Sequence, residues 1–257
     1  MSEPAPRIEA RGLTLDLGST PVLADLSLTL DPGEMVALVG PSGCGKSTLL
    51  SVLAGLLPPD AGEVRIDGRT TSAGGRLGRL TLMPQSDALL PWRTLEANVA
   101  MAPALAGVPR GEARALARRA LARYGLAGFE RHYPHALSGG MRQRAALART
   151  LLGGARAWLL DEPFGALDAL TRSDLQGVLA GAWEQERPTA LLVTHDLDEA
   201  LRLADRVLVC SPRPARVIGE VAVGAPRPER RRDAGWPEGV ELRARLLATL
   251  RGAGVAA

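Results

Sequence analysis

A short segment near the N-terminus has the composition of a phosphate-binding loop. Residues 40–47 read Gly-Pro-Ser-Gly-Cys-Gly-Lys-Ser and fit the pattern GxxxxGK[ST]. The glycines let consecutive backbone N–H groups turn toward one point, where they form an anion-binding nest that the N-terminus of a following helix reinforces. These residue types therefore predict a site for the phosphates of a nucleotide.

The candidate nucleotide-binding residues lie in this loop and at the start of the helix expected after it: Gly40, Pro41, Ser42, Gly43, Cys44, Gly45, Lys46, Ser47 and Thr48. Lys46 is expected to reach the β- and γ-phosphates, and the Ser47 hydroxyl to coordinate Mg²⁺. The alternative interpretation is a glycine-rich turn with one surface lysine. Because Lys46 is the only lysine in the chain, a chance placement at this position is disfavoured.

Two acids at the end of an apolar segment form a second candidate cluster. Residues 157–162 read Ala-Trp-Leu-Leu-Asp-Glu. A strand buried on both faces would deliver Asp161 to Mg²⁺ from the side opposite Ser47. Glu162 could then polarise an attacking water, and a positioned base of this kind typically contributes about 10² to 10⁴ in rate. Strands often end in acids, so this prediction depends on the phosphate loop beside it.

The elements that must position these groups begin with strands. Apolar residues alternate along residues 8–30, and residues 35–39 form a continuous apolar run, as is typical of a strand buried on both faces. The pattern further predicts a helix over 46–56, strands over 63–67 and 79–83, and a surface loop over 70–78.

The second half of the chain predicts helices followed by strand–helix alternation. Residues 94–152 place alanine, leucine and arginine at helical spacing, with breaks at Pro103, 107–109 and Gly125. Beyond them, strand-like runs at 157–160, 189–194 and 207–210 alternate with helical runs at 168–183 and 197–204. A last amphipathic helix is expected at about 238–250. Strand–helix alternation predicts an α/β fold with a mainly parallel sheet and helices on both faces.

Composition excludes several classes of protein. The chain has 257 residues, of which 46% are hydrophobic, and no apolar run approaches the ~18 residues of a membrane-spanning helix. Residues 1–7 do not read as a secretory signal, and two cysteines suit a reducing compartment, so a cytoplasmic location is expected. The net charge is +3, and the basic clusters at 110–123 and 227–232 contain no aromatic residue. A nucleic-acid partner is therefore not expected.

Further motifs identify a family. Residues 137–144, Leu-Ser-Gly-Gly-Met-Arg-Gln-Arg, resemble the signature segment that separates ABC ATPases from other phosphate-loop proteins. The remaining motifs of that family match in order: Gln85 before the signature, Asp168 in the loop after the acid pair, and His195 in Thr-His-Asp. The resemblance covers about residues 7–250 and is to the ATP-binding subunits of ABC transporters.

The resemblance implies an α/β P-loop NTPase fold of the ABC ATPase type, with a RecA-like core, an antiparallel β-subdomain and an inserted helical subdomain. It implies one ABC ATPase domain over residues 1–257, with a helical lobe at about 94–152 and a C-terminal extension at about 212–257. ATP and Mg²⁺ are the implied cofactors. Glu162, His195 and Gln85 become the implied catalytic residues, and Ser47, Gln85 and Asp161 the implied metal ligands.

The resemblance also implies a dimer in which each site is shared. Ser138, Gly139 and Gly140 sit at an expected helix N-terminus and would grip the γ-phosphate of ATP bound to a second copy. Asp168 is a further implied nucleotide-binding residue. Ser138 would cap its own helix as well, and the two roles do not compete. The other implied partners are permease subunits on separate chains, which would hold this chain at the inner face of the membrane, and indirectly a solute-binding protein.

Two departures from the family pattern stand out. Met141 replaces the usual glutamine of the signature, a side chain on which the γ-phosphate contacts do not depend. The family normally stacks adenine on an aromatic residue of the first hairpin. In this chain Trp92 is the first aromatic residue, and Leu17 stands about where the stacking ring would be.

A finer resemblance concerns the transported solute. Residues 89–94 and 96–99, together with residues 226–230, resemble the subfamily that serves nitrate, sulfonate and taurine importers. Trp92 could contact the permease or simply pack against the helical lobe. A soluble ABC ATPase of DNA repair or translation is disfavoured, because only 52 residues lie between Gln85 and Ser138 and the chain carries a single set of motifs. An exporter subunit is excluded only weakly.

Overall fold

The computed structural model describes residues 4–76, 78–225 and 236–254. The strands are β1 (Ile8–Leu17), β2 (Thr20–Leu30), β3 (Met35–Val39), β4 (Ala61–Ile66), β5 (Arg69–Thr70), β6 (Thr81–Met83), β7 (Ala157–Asp161), β8 (Thr189–Thr194), β9 (Arg206–Cys210) and β10 (Val217–Ala222). The helices are α1 (Lys46–Ala54), α2 (Ala73–Arg76), α3 (Leu95–Val99), α4 (Met101–Leu105), α5 (Arg110–Arg123), α6 (Gly139–Leu151), α7 (Ala169–Glu186), α8 (Leu197–Leu203) and α9 (Pro237–Gly252).

The larger sheet has six strands in the order β10-β9-β3-β8-β7-β6. All neighbours are parallel except β10, which runs antiparallel to β9. This arrangement confirms the predicted α/β fold with a mainly parallel sheet. The carboxyl ends of β3, β7 and β8 meet at one edge, which is where open parallel sheets bind ligands.

The central strands of this sheet are buried on both faces, as their continuous apolar sequences predict. Along β3, Val36 and Leu38 pack into the core beneath the smaller sheet and α1. The alternate residues Ala37 and Val39 pack on the other face against α8 and α9. Because successive side chains of a strand point to opposite faces, one apolar run fills two cores.

The smaller sheet is antiparallel, with four strands in the order β2-β1-β4-β5. Alternate apolar residues of β1 and β2 face α1 and the larger sheet, so the period-two pattern over residues 8–30 is confirmed. Leu17 and Thr20 close the first hairpin as a cross-strand pair. Leu17 lies at its exposed tip.

Helices fill the segment between β6 and β7. The predicted breaks at 107–109 and Gly125 fall between helices, whereas the break predicted at Pro103 is wrong. Pro103 lies inside α4, in its first turn, where proline's missing N–H would have no intrahelical partner. The break instead falls at Ala100, which separates α3 from α4.

Two other predictions are corrected. The helix predicted over 46–56 ends at Ala54, because Gly55 adopts a left-handed φ of 81° and caps it. The loop predicted over 70–78 contains the end of β5 and the short helix α2. The buried Arg76 guanidinium fixes α2 by donating to backbone oxygens of Thr71 and Val52, a tertiary cause that local sequence does not show.

The C-terminal part adds an edge strand and a helix to the larger sheet. β10 was not predicted, because it lies in a stretch rich in proline and arginine. Helix α9 runs slightly beyond the predicted 238–250 at both ends. Residues 226–235, with the second basic cluster and the C-terminal resemblance, lie outside the described residues, as do residues 1–3. Within the described ranges no helix combines the length and hydropathy that crossing a membrane requires.

Candidate nucleotide site

The loop of residues 40–47 joins β3 to α1 at the carboxyl edge of the larger sheet. The Lys46 side chain is buried, and its Nζ donates to the carbonyl oxygens of Gly40 and Pro41, both at 2.9 Å. Gly45 has a φ of 126°, and a Cβ there would lie 3.0 Å from Val22. Both the backbone conformation and the close approach require glycine at this position.

Arg213 holds the loop from outside. Its Nε and Nη2 donate to the Gly43 carbonyl oxygen at 3.0 and 2.7 Å. The segment that carries it is anchored to β2 by the bond from Ala215 N to Val22 O, at 2.8 Å. Sequence reasoning missed Arg213, because the only available signal was an arginine between two prolines, 170 residues away from Gly43.

Ser47 and Asp161 meet beside the loop. Asp161 ends β7 and is buried; this burial raises the pKa of its carboxyl group, and a hydrogen bond with the Ser47 side chain opposes the rise. Among the described residues, Asp161 Oδ1 is buried without a hydrogen-bond partner. A buried carboxylate oxygen without a partner next to a hydroxyl is a set of hard oxygen donors, which fits Mg²⁺.

Glu162 and His195 form the second contact of the site. His195 Nδ1 lies 3.2 Å from Glu162 Oε1. Glu162 has a φ of 46°, unusual for a residue with a side chain, and its N–H donates to Val193 O at 2.9 Å. Non-glycine residues in this conformation are often found at functional sites, and here the conformation turns Glu162 away from the line of β7.

Gln85 follows β6 and is exposed. Met83 of β6 pairs with Leu160 of β7, so Gln85 leaves the sheet at the same edge as Asp161. Among the described residues, no hydrogen bond joins Gln85 to Asp161 or Ser47. The structure thus puts Gln85 on the same edge as Asp161 without bringing it into the Ser47–Asp161 contact.

Ser138, Gly139 and Gly140 stand at the N-terminus of α6. Ser138 Oγ accepts a hydrogen bond from Met141 N at 3.2 Å, which confirms the predicted cap. Ser138 and Gly139 are exposed, and within the described chain neither is hydrogen-bonded to the phosphate loop. A Cβ on Gly140 would lie 3.2 Å from Leu167, so the signature packs closely on the loop that precedes α7.

Asp168 caps α7 in the same manner. Its Oδ1 accepts from Thr171 N at 3.0 Å, and the hydrogen bond from this backbone N–H lowers the pKa of its carboxyl group. The side chain is exposed and makes no contact with the phosphate loop among the described residues. A single chain therefore brings Lys46, Ser47 and Asp161 together, and Glu162 with His195, but leaves Asp168 and the signature facing outward.

Helix α6 is tied to the two segments that follow β6 and β7. Gln143 is buried and donates from Nε2 to the carbonyl oxygens of Pro163 and Glu162, at 3.2 and 3.4 Å. Arg142 Nε donates a hydrogen bond to Asp87 Oδ2 at 2.9 Å, and Asp87 lies two residues after Gln85. Arg142 and Gln143 belong to the signature segment, and Asp87 closely follows Gln85, but nothing in the sequence showed what each would contact.

A cleft of about 580 Å³ opens between the phosphate loop and α9. Its walls include Ser42, His195, Asp198, Arg243 and Leu250. Arg243 Nε pairs with Asp198 Oδ1 at 3.1 Å, so the last helix is joined to the start of α8 beside His195. The described residues contain no cluster of three or more His, Cys, Asp or Glu side chains that could hold a metal without a substrate's help.

Comparison with known proteins agrees with this geometry. Residues 23–165 match the ABC transporter family. The chain is 48% identical over 230 residues to an aliphatic sulfonates import ATP-binding protein of Burkholderia lata, covering 90% of this chain and 81% of that protein. It is 44% identical over 233 residues to a taurine import ATP-binding protein of Chromobacterium violaceum, covering 89% and 88%.

Solved structures give the same result for the fold. The dimeric ATP-binding cassette MJ0796, in a post-hydrolysis state with ADP and Pi, matches with a TM-score of 0.77 at 29% identity, over 85% of this chain and 99% of that one. The predicted P-loop fold of the ABC type is therefore confirmed. Together, the phosphate loop, the signature segment and these similarities establish that the chain belongs to the ABC transporter family.

Proposed function

We propose that this chain binds and hydrolyses ATP to drive an importer of small sulfonate-like solutes. The observation that carries the proposal is the arrangement at one sheet edge: Lys46 in the loop, Asp161 against Ser47, and Glu162 against His195. The names of the relatives, which are import ATP-binding proteins for aliphatic sulfonates and taurine, support the transport role.

The residues of the loop bind the triphosphate in this proposal. The Lys46 ammonium exchanges its bonds to the Gly40 and Pro41 carbonyls for phosphate oxygens, so the buried charge keeps partners in both states. Ser47 and Asp161, with Gln85, hold Mg²⁺, which supplies charge neutralisation at the phosphates. Magnesium is commonly held by one or two carboxylates and completes its shell with substrate phosphates and water, which suits a donor set that contains a single carboxylate.

Glu162 acts as the general base toward water. Its backbone conformation and its bond to Val193 fix the carboxylate at the end of β7, and His195 holds the carboxylate from the end of β8. Proton abstraction from water by a positioned carboxylate makes the oxygen a better nucleophile toward the γ-phosphate. His195 is a positioning residue in this scheme and also lies beside the phosphate loop in the lining of the cleft.

The active form is a head-to-tail dimer with two shared sites. Ser138 and Gly139 are exposed at the N-terminus of a 13-residue helix, α6, where backbone N–H groups and the helix dipole favour an anion. A second copy that presents its bound γ-phosphate there would complete both sites. Asp168 faces the same partner. The solved dimers of a related cassette support this assembly.

The further partners are permease subunits on separate chains and, through them, a solute-binding protein. The chain acts from the cytoplasm at the inner face of the membrane. Trp92, with 71% of its surface exposed at the start of the helical segment, is suited to a permease contact. A large exposed aromatic is a common anchor in protein interfaces.

Nucleotide binding and hydrolysis test the first half of the proposal. We expect the purified chain to bind a fluorescent ATP analogue and to release phosphate with Mg²⁺. Lys46→Ala should weaken binding, because it removes the buried ammonium that faces the phosphates. Arg119→Ala, which removes an exposed positive charge from α5, is the control and should bind as the wild type does. Equal binding by Lys46→Ala and wild type would contradict the assignment of the loop.

Solute uptake tests the second half. The chain is co-expressed with the permease and binding protein of a sulfonate importer, in cells that lack sulfonate uptake. Labelled taurine and an alkanesulfonate should accumulate only with the wild-type chain and not with Lys46→Ala. Hydrolysis without uptake of either compound would contradict the solute assignment and leave the ATPase assignment standing.

A further inference from the structure

The chain's two cysteines meet beneath the phosphate loop. Cys44 belongs to the loop and Cys210 ends β9. Both side chains are buried, with 2% and 0% of their surface exposed, and both belong to the core beneath the smaller sheet. The two thiols are close enough for each to shift the pKa of the other. Nothing in the proposed hydrolysis mechanism requires this contact.

The fold brings the two residues together through adjacent strands. Val39 of β3 pairs in parallel with Val209 of β9, so Gly40 and Cys210 leave the sheet side by side. A Cβ on Gly40 would lie 2.8 Å from Cys210 Cβ, which shows how closely the loop begins against this cysteine. The loop then turns back through the bond from Cys44 N to Pro41 O, at 3.3 Å. This turn returns Cys44 to Cys210.

The two thiols differ in chemical character. The hydrogen bond from Cys210 and the nearby Lys46 ammonium, whose Nζ lies 3.8 Å from Cys44 Sγ, lower the pKa of Cys44 to about 6 despite its burial. The same contact and burial raise the pKa of Cys210. At neutral pH the pair therefore combines a thiolate, which attacks oxidants, with a neighbouring thiol that can resolve the product.

We propose that Cys44 and Cys210 form an oxidation-sensitive pair whose disulfide closes the phosphate loop to ATP. The oxidant is a peroxide. The Cys44 thiolate attacks one peroxide oxygen, the O–O bond breaks, and sulfenic acid and hydroxide form. The Cys210 sulfur then attacks the Cys44 sulfur, the S–O bond breaks, and the hydroxyl leaves as water with the Cys210 proton. Two thiols and one peroxide molecule give one disulfide and two water molecules.

The disulfide would change the loop because it draws the sulfurs together. A disulfide holds its sulfurs about 2.0 Å apart, far closer than the sulfurs of two neighbouring free thiols can approach. Cys210 sits in a buried strand, so Cys44 must move, and Gly43 and Gly45 move with it. Backbone N–H groups that bind phosphate must converge on one point, so a displaced loop loses its ligand. The inference rests on the proposed function in one respect, that this loop binds ATP.

The experiment treats the reduced full-length chain with hydrogen peroxide and divides the sample. Binding of a fluorescent ATP analogue is measured on one part with its thiols unblocked. In the other part free thiols are blocked before intact mass and the disulfide-linked peptides are measured. The reduced wild type must first bind the analogue; a failure at that stage contradicts the proposed function and leaves the cysteine chemistry to the mass measurement. Cys210→Ala is the matched variant, with Cys210→Ser as a second in case the alanine variant folds poorly. Neither residue change touches the loop itself.

We expect the oxidised wild type to lose two hydrogen atoms, to yield one peptide that links Cys44 to Cys210, and to bind the analogue at least about tenfold more weakly. A dithiol reductant should restore binding, and ATP present during oxidation should slow the loss. After peroxide treatment, both Cys210 variants should bind the analogue as tightly as their untreated samples do. Four results would each overturn the inference: thiols that stay reduced in excess peroxide, disulfides between chains only, a Cys44–Cys210 disulfide with unchanged binding, and equal loss of binding in the Cys210 variants.

Discussion

His195 Nδ1 lies 3.2 Å from Glu162 Oε1, although the two residues are 33 positions apart in the chain. The contact exists because β7 and β8 are parallel neighbours, with Asp161 opposite Val193. Glu162 and His195 therefore leave the sheet at the same edge. The carboxylate is held by the strand behind it and the imidazole beside it, which is how a general base keeps one orientation.

Replacing Glu162 by glutamine tests the base. Glu162→Gln keeps the size of the side chain and removes its ability to accept a proton. Phosphate release should fall at least about tenfold, whereas binding of an ATP analogue should stay near that of the wild type. Because ATP then persists in the shared sites, a dimer stable enough for gel filtration should accumulate. Turnover at the wild-type rate would show that another group activates water.

The His195 contact predicts non-additive effects. His195→Ala should lower turnover, because Glu162 loses the imidazole that holds it. The double variant His195→Ala with Glu162→Gln should lose no more than Glu162→Gln alone, since groups that act as a unit do not contribute separately. Single-turnover phosphate release measures all three variants. Losses that multiply in the double variant would show that His195 acts independently of Glu162.

Ser138 tests the shared site. Ser138→Arg places a bulky side chain at the exposed N-terminus of α6 without touching the phosphate loop of its own chain. Nucleotide binding to the monomer should stay within about twofold of the wild type, while ATP-driven dimerisation and hydrolysis collapse. Ser138→Ala is the control for bulk, because it removes the hydroxyl and its bond to Met141 without adding a large side chain at the interface. Loss of monomer binding in Ser138→Arg would contradict a site shared between two copies.

A buried glutamate of α8 predicts a pH-dependent stability. Glu199 lies against Asp196; burial, and then that neighbouring charge, raise the pKa of its carboxyl group from 4.5 to about 8. Between these values the folded chain holds a proton that the unfolded chain has released. The free energy of unfolding therefore falls as pH rises through this window, and the contribution of Glu199 is least unfavourable below it.

Glu199→Gln removes that titration. Relative to the wild type, the variant should gain on the order of 3 kcal/mol in the free energy of unfolding between pH 5 and pH 8. Urea unfolding at both pH values measures the difference. Glu112→Gln, an exposed glutamate on α5, is the control and should show no such gain. The same difference from wild type at both pH values would show that Glu199 titrates as an ordinary glutamate.

The sequence predicted those parts of the molecule whose causes are local. The loop at 40–47 could be predicted because glycines, a lysine and a hydroxyl at this spacing rarely serve another function. The central strands could be predicted because a strand that is buried on both faces has a continuous apolar sequence. Helix α2 was missed because Ala-Gly-Gly-Arg has little helix propensity, and the fold imposes it through Arg76.

The sequence allowed candidate site residues to be named, but it did not show which contacts they make. Ser47 and Asp161 could be expected to meet, since two motifs with one known chemistry implied it. Arg213 on Gly43, and Cys210 on Cys44, could not, because each depends on which strand lies next to β3. The order of strands in a sheet is set by long-range packing, so it cannot be predicted from a local sequence pattern.

The last prediction concerns the part of the nucleotide site that would contact adenine, where the first hairpin carries no aromatic ring. No aromatic residue precedes Trp92, and Leu17 lies at the tip of the first hairpin with 49% of its surface exposed. Phosphate contacts do not distinguish adenine from guanine, so GTP should be used within about tenfold of ATP, a gap under about 1.4 kcal/mol. Leu17→Tyr should tighten ATP by up to about 1–3 kcal/mol if the new ring stacks on the base. The measurement is kcat/KM for both nucleotides in the wild type, in Leu17→Tyr and in the control Leu105→Tyr, which adds a ring at an exposed leucine of α4. A strong preference of the wild type for ATP would show that another group reads the base, and an equal gain in the control would show that the ring at Leu17 does not stack.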